Sequence, residues 1–176
     1  MTSKADYSKK QITDALIKLL QTKPIDLITI TELVDQANVS RNAFYNNYKS
    51  IDDVLIAAYR QEHYIAFKHK YQQLDYFFDD AFINDNITFF DKNTKLLLAL
   101  YKWNLINYVC MYNTKLTYLA VEKINHSFAN NYPDYFITYI WTPVFNVCLQ
   151  WILKNKPESP SELFILIKQL KTFDHS

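Results

Sequence analysis

Residues 29–48 read TITELVDQANVSRNAFYNNY, and this stretch decides the fold. Ile30, Leu33, Val34 and Ala37 fall on one face of a short helix. Thr29 stands just before that face and Glu32 three residues on, a pattern in which a hydroxyl takes an orphan amide. Ser40 then opens a second segment, with Ala43, Phe44 and Tyr48 facing inward. Only Ala37-Asn38-Val39-Ser40 separates the two, which is the length of a helix-turn-helix. A turn that tight wants glycine in the left-handed region. Asn38 occupies the place, and Asn is the next-best residue for it.

Working outward, the chain of 176 residues contains no glycine anywhere. Average usage would supply roughly a dozen. Phosphate cradles, dinucleotide loops, the strained nucleophile elbow and the glycine-dependent calcium loop are all excluded together. Tight two-residue hairpins are disfavoured for the same reason. A helical protein whose turns are made by Asn, Asp, Ser and Pro remains. Hydrophobic residues make up 49% of the chain, enough for a packed core, and the length fits one or two domains.

Ile12, Ala15, Leu16, Leu19 and Leu20 form a stripe before residue 29, closed by Lys23-Pro24. Ser8 with Gln11 resembles its start, and Ser50 with Asp53 starts a fourth helix through Val54, Leu55 and Ala58 to about Leu74. Further helical segments are expected over 86–101, 103–111, 114–130, 134–154 and 160–172, with Pro133 and Pro160 opening the last two. Pro143 is expected to kink or interrupt the run that contains it. Residues 75–85 are ambiguous.

The second short helix exposes Arg41, Asn42, Tyr45, Asn46 and Asn47. Arg pairs bidentately with guanine and Asn with adenine in the major groove, while Tyr and Lys suit phosphates. Residues 1–49 carry seven basic and five acidic side chains, and the whole chain a net charge of +1. The charge advertises no global field for a polyanion, so a limited set of phosphate contacts and a modest salt slope are expected.

The pattern resembles the TetR family of transcriptional regulators, in which a Thr-initiated helix precedes A-G-V-S-x-x-x-(L/F)-Y-x-(H/N)-F and then S-K-(D/E)-x-L. This chain has Ala37-Asn38-Val39-Ser40, Phe44-Tyr45-Asn46-Asn47-Tyr48 and Ser50-Ile51-Asp52-Asp53-Val54-Leu55, over about residues 8–60. The resemblance implies an all-α homodimer. A DNA-binding domain over 1–52 would be joined by a long helix to a dimerisation and effector domain over 53–176. It implies DNA contacts at Thr29, Thr31, Ser40, Arg41, Asn42, Tyr45, Asn46, Asn47 and Lys49, with Tyr48 as packing. Two departures stand out: Asn38 for the turn glycine, and Ile51 for a phosphate-contacting Lys that Lys49 would have to replace.

In the carboxy-terminal half, Ile140, Val144, Cys148, Trp151, Leu163, Phe164 and Ile167 form apolar stripes. The segment from Trp151 through Leu170 resembles the last two helices of TetR-type proteins, which implies that they pair with a second subunit. Tyr101, Trp103, Tyr108, Tyr112, Tyr118 and Trp141 suggest an aromatic effector pocket, with Lys102 and Asn104 as polar anchors. The histidines show no metal-ligand spacing, and no cofactor or metal is expected. Cys110 and Cys148 match no redox spacing and are expected as buried thiols of a cytoplasmic protein. No triad is discernible, so the chain is not expected to be an enzyme. No stretch is apolar enough for a membrane span. Double-stranded DNA, a second copy and a small effector are the expected partners, with repression as the expected outcome. The alternative is a TetR-like adaptor whose DNA binding has been weakened or lost.

Overall fold

A computed structural model describes residues 4–70, 74–124 and 134–172. Among the described residues there are nine α-helices and no strands. They are α1 (Lys4–Thr22), α2 (Ile30–Gln36), α3 (Arg41–Tyr45), α4 (Ile51–Phe67), α5 (Asp80–Lys92), α6 (Thr94–Lys102), α7 (Ile106–Ile124), α8 (Asp134–Leu153) and α9 (Pro160–Thr172). Single 3-10 turns run over Ile25–Leu27 and Leu74–Phe78. The all-α class expected from the sequence is what the chain adopts.

Contacts divide the chain into two compact units. The first comprises Met1–Glu62 and Lys95–Ile106. Within it α1, α2 and α3 pack on one another. Ile12, Leu16, Leu33, Phe44, Leu55 and Leu97 are the heart of its core, all fully buried. Polar ties reinforce this packing. The Thr13 hydroxyl donates to Gln61 Oε1 at 2.9 Å, and Gln61 Nε2 donates to Asp14 Oδ1 at 2.9 Å, linking α1 to α4. Lys95 donates to the Gln21 carbonyl, and Lys102 pairs with Asp26 at 2.9 Å, so α6 is tied to the end of α1 and the turn after it.

The second unit comprises His63–Thr94 and Asn107–Ser176. Here α5 packs against both α8 and α9. Phe90 meets Phe145 edge-on at 5.1 Å, and Trp141 meets Phe145 at 5.2 Å. His63 stacks in an aromatic cluster with Phe67, Phe89 and Tyr112. Lys156 pairs with Asp91 at 2.7 Å and Lys168 with Asp80 at 2.6 Å, binding the end of the chain to both ends of α5.

The absent glycines are replaced by one device used three times. Asn38, Asn104 and Asn155 have φ of 51°, 58° and 60°. Each follows a helix as its left-handed cap. After α2, Asn38 N donates to the Asp35 carbonyl at 3.1 Å and Val39 N to Val34 at 3.0 Å. After α6, Asn104 N donates to Tyr101 at 3.0 Å and Leu105 N to Leu100 at 2.8 Å. After α8, Asn155 N donates to Ile152 at 3.1 Å and Lys156 N to Trp151 at 2.9 Å. These paired 5→2 and 6→1 bonds are the Schellman arrangement, which takes up two orphan carbonyls at a helix end.

Several sequence expectations move. The segment expected over 86–101 is two helices, broken at Asn93, whose side chain donates to the Phe89 carbonyl at 3.0 Å. The break expected between 111 and 114 does not exist, because Asn113 is buried inside α7. α4 ends at Phe67 rather than near Leu74, and Ser8 lies inside α1. α8 runs through Pro143 without interruption, and Tyr139, whose carbonyl loses the Pro143 amide, is an exposed residue. Pro133 lies outside the described residues. Pro160 does open α9, where Ser159 and Glu162 form a full capping box: Ser159 N donates to Glu162 Oε2 at 2.8 Å, and Glu162 N donates to Ser159 Oγ at 3.3 Å.

Candidate nucleic-acid interface

The surface of interest is built by α2, the Asn38 turn and α3. Thr29 caps α2, its hydroxyl accepting from Glu32 N at 3.2 Å. The Glu32 carboxylate forms an ion pair with Lys23, which ties the residue after α1 to α2. Ser40 caps α3, its Oγ accepting from Ala43 N at 3.1 Å. Phe44 is fully buried and Tyr48 nearly so, fixing the inner face of α3. Burial pushes the Tyr48 phenol up to about 12, as befits a packing residue that stays neutral.

With that face anchored, the other faces outward. Arg41, Asn42, Tyr45 and Asn46 are all exposed, Tyr45 by 58%. The side-chain amides of Asn42 and Asn46 have no partner among the described residues, so their donors and acceptors are available to a ligand. The Tyr45 ring leans edge-on against Phe44 at 5.3 Å, which holds its hydroxyl away from the core. Arg41 Nη2 donates to Thr31 Oγ1, joining the exposed positions of the two helices. The side chain of Lys49 is exposed and has no partner among the described residues, while its backbone amide donates to Asp53 Oδ2 at 2.9 Å at the mouth of α4. Ile51, the first residue of α4, is half-buried.

Not every residue expected at the interface is equally available. Asn47 is half-buried, and its Nδ2 donates to the Ala43 carbonyl at 2.6 Å, so it serves the end of α3. Ser40 and Thr29 accept capping bonds, which leaves each hydroxyl proton to donate elsewhere.

Other residues singled out from the sequence belong to other elements. Tyr101, Lys102, Trp103 and Asn104 are exposed at the end of α6 in the first unit, with Lys102 engaged by Asp26 and Asn104 forming the turn. Tyr108, Tyr112, Tyr118 and Trp141 belong to the second unit. Tyr118 lines an open cleft of about 690 Å³ with Cys110, Met111, Thr114, Lys115 and Thr138. Trp141 is buried, and its Nε1 is the buried side-chain nitrogen without a hydrogen-bond partner among the described residues. Ile140, Val144, Cys148, Trp151, Leu163 and Ile167 are buried within one protomer, whereas Ile165 and Leu166 are exposed by 54% and 45%. Burial pushes the Cys148 thiol up to about 12 and raises Cys110 as well, so neither is primed as a nucleophile. The Gln61 network and the lysines of α6 were invisible in the sequence, since each pairs with a residue far along the chain. Among the described residues no three His, Cys, Asp or Glu side chains gather as metal ligands, and no helix is long and apolar enough to cross a membrane.

A buried inner face, a left-handed turn and an outer face of exposed Arg, Asn and Tyr make this a helix-turn-helix of the kind that enters a DNA groove. Residues 12–58 match the family model for bacterial regulatory proteins of the tetR family. The chain therefore carries a TetR-family amino-terminal DNA-binding domain, which implies a transcriptional regulator, and regulators of this family are typically not enzymes. No curated protein matches the chain.

Proposed function

We propose that the protein is a homodimeric, cytoplasmic repressor that reads a pseudo-palindromic operator through α3. Residues 1–52 would do the reading, and residues 53–176 would supply dimerisation and effector control. The outward amides of Asn42 and Asn46 beside Arg41 carry this reading, because three polar side chains on α3 and its C-cap match the base edges of a major groove. Tyr45, Thr29, Thr31, Ser40 and Lys49 are the phosphate contacts, with Lys49 standing in for the charge that Ile51 does not provide. The test is selection of duplexes from a random pool, where enrichment of a two-fold sequence with half-sites about one helical turn or more apart supports it.

For dimerisation, the buried stripes of α8 and α9 make the protomer's own core, and the exposed Ile165 and Leu166 with half-exposed Phe164 are left for the second copy. A groove of about 430 Å³ lies beside them, lined by Val147, Gln150, Lys154 and Leu166 among others. An effector that places a hydrogen-bond acceptor at Trp141 Nε1 would remove the cost of a buried unpaired donor. It would shift the spacing of the two reading heads, and so DNA affinity, by its preference between states.

Ile51 favours a second reading, in which the chain acts as an adaptor docking to another protein. Absence of DNA binding at low salt together with a defined protein partner would select it.

A further inference from the structure

We infer that Thr31 is a positioning residue for base recognition: its hydroxyl aims the Arg41 guanidinium at one base in each half-site. This deepens the DNA-binding reading and rests on it. Two exposed side chains on different helices, ten positions apart, are joined by one hydrogen bond, with Arg41 Nη2 as donor and Thr31 Oγ1 as acceptor. Nothing in the protomer's packing requires that bond, since both residues lie on the outer surface.

The chemistry of the pair suits a relay. A guanidinium has five N–H groups, and Thr31 takes one, leaving enough for the bidentate pairing that distinguishes guanine. Thr31 accepts from Arg41, so its own hydroxyl proton remains to donate to a phosphate oxygen. The same threonine then reads the position of the backbone and sets the position of the arginine, which ties register to sequence. A long flexible side chain held in advance also loses less freedom when it meets the base.

The neighbours support this division of labour. Asn42 and Asn46 lack such an anchor among the described residues and must be ordered by the DNA itself. Ser40, next to Arg41, is occupied by the cap of α3. Among the described residues, Thr31 alone couples α2 to a reading side chain through a side-chain hydrogen bond.

Selection from a random duplex pool, run on the full chain and on Thr31→Val, Thr31→Ser, Arg41→Ala and the Thr31→Val/Arg41→Ala double variant, tests the inference. Arg41→Ala should flatten preference at one base position per half-site by roughly tenfold or more. Thr31→Val should flatten the same position, Thr31→Ser should preserve it, and the double variant should lose no more there than Arg41→Ala. Uniform weakening by Thr31→Val, with that base preference intact, would make Thr31 a plain phosphate contact and overturn the inference. If the unaltered chain selects no sequence, the DNA-binding reading falls and the inference falls with it, a result distinguished by the unaltered chain alone. Unchanged thermal melts of the valine and serine variants confirm that each result concerns recognition.

Discussion

The Val39 amide donates to the Val34 carbonyl across 3.0 Å, closing a turn whose middle residue, Asn38, has φ of 51°. That bond sets the angle between α2 and α3, and with it which side of α3 faces outward. Left-handed geometry is tolerated by Asn and resisted by residues branched at Cβ. Asn38→Gly is therefore expected to leave stability unchanged or slightly raised. Asn38→Val should lower it by about 1–2 kcal/mol. Thermal melts of the two variants decide the matter, and equal melting temperatures would show that the turn does not depend on this conformation.

Base reading is expected to reside in Arg41 and Asn46. Replacing either with Ala should weaken specific binding by about 1–3 kcal/mol and relax preference at one position, while leaving the fold intact. Both residues are exposed, so no core contact is removed. Binding isotherms against a selected duplex and its scrambled counterpart measure the effect. Loss of affinity for both duplexes alike would move these residues into the phosphate-contacting group.

His63 predicts how stability depends on pH. Its imidazole is only 4% exposed among Phe67, Phe89 and Tyr112, and burial holds its pKa down at about 4 against an ordinary 6.5. Between those values the unfolded chain binds a proton that the folded state refuses. The contribution of this group is thus complete above about pH 6.5, falls as pH drops, and levels off below about 4. Going from pH 7 to pH 5 should cost about 2 kcal/mol. Urea unfolding at both pH values, with His63→Phe as reference, checks it: the variant should show a shallower loss. An identical loss in both proteins would assign the effect to other groups.

Exposed and buried apolar residues of the last two helices should behave differently. Leu166→Asp places a charge on the outer face of α9 and is expected to yield a folded monomer. Val144→Asp places one among buried side chains and should unfold the protomer, since an unpaired buried charge costs several kcal/mol. Sedimentation equilibrium with circular dichroism separates the two outcomes. A Leu166→Asp variant that remains dimeric would locate the interface elsewhere.

The helix-turn-helix was legible because its signals agree within twenty residues. Thr29 and Ser40 cap, Leu33, Val34 and Phe44 point inward, and Asn38 turns. Elsewhere Asn misled. Asn93 ends a helix and Asn104 and Asn155 follow one, yet Asn86 and Asn113 are buried in mid-helix. Asn serves both as a left-handed cap and as a buried polar residue, and sequence alone does not separate the two uses. In a chain without glycine, that ambiguity falls on the helix ends where Asn stands, such as Asn93, Asn104 and Asn155. The stripes of α8 and α9 are largely buried, and periodicity does not distinguish a face buried in one protomer from a face shared by two. The bond between Arg41 and Thr31 joins positions whose spacing carries no motif, so only the folded turn reveals it.

The central claim is sequence-specific DNA binding through α3. Its most direct measurement is a titration of the full chain against the duplex enriched from a random pool and against a scrambled duplex, at several salt concentrations. The account predicts tighter binding to the enriched duplex at every salt concentration, with a modest salt slope reflecting few phosphate contacts and with the difference abolished by combining Arg41→Ala and Asn46→Ala. Equal affinity for the two duplexes, or no binding to either at low salt, would contradict it.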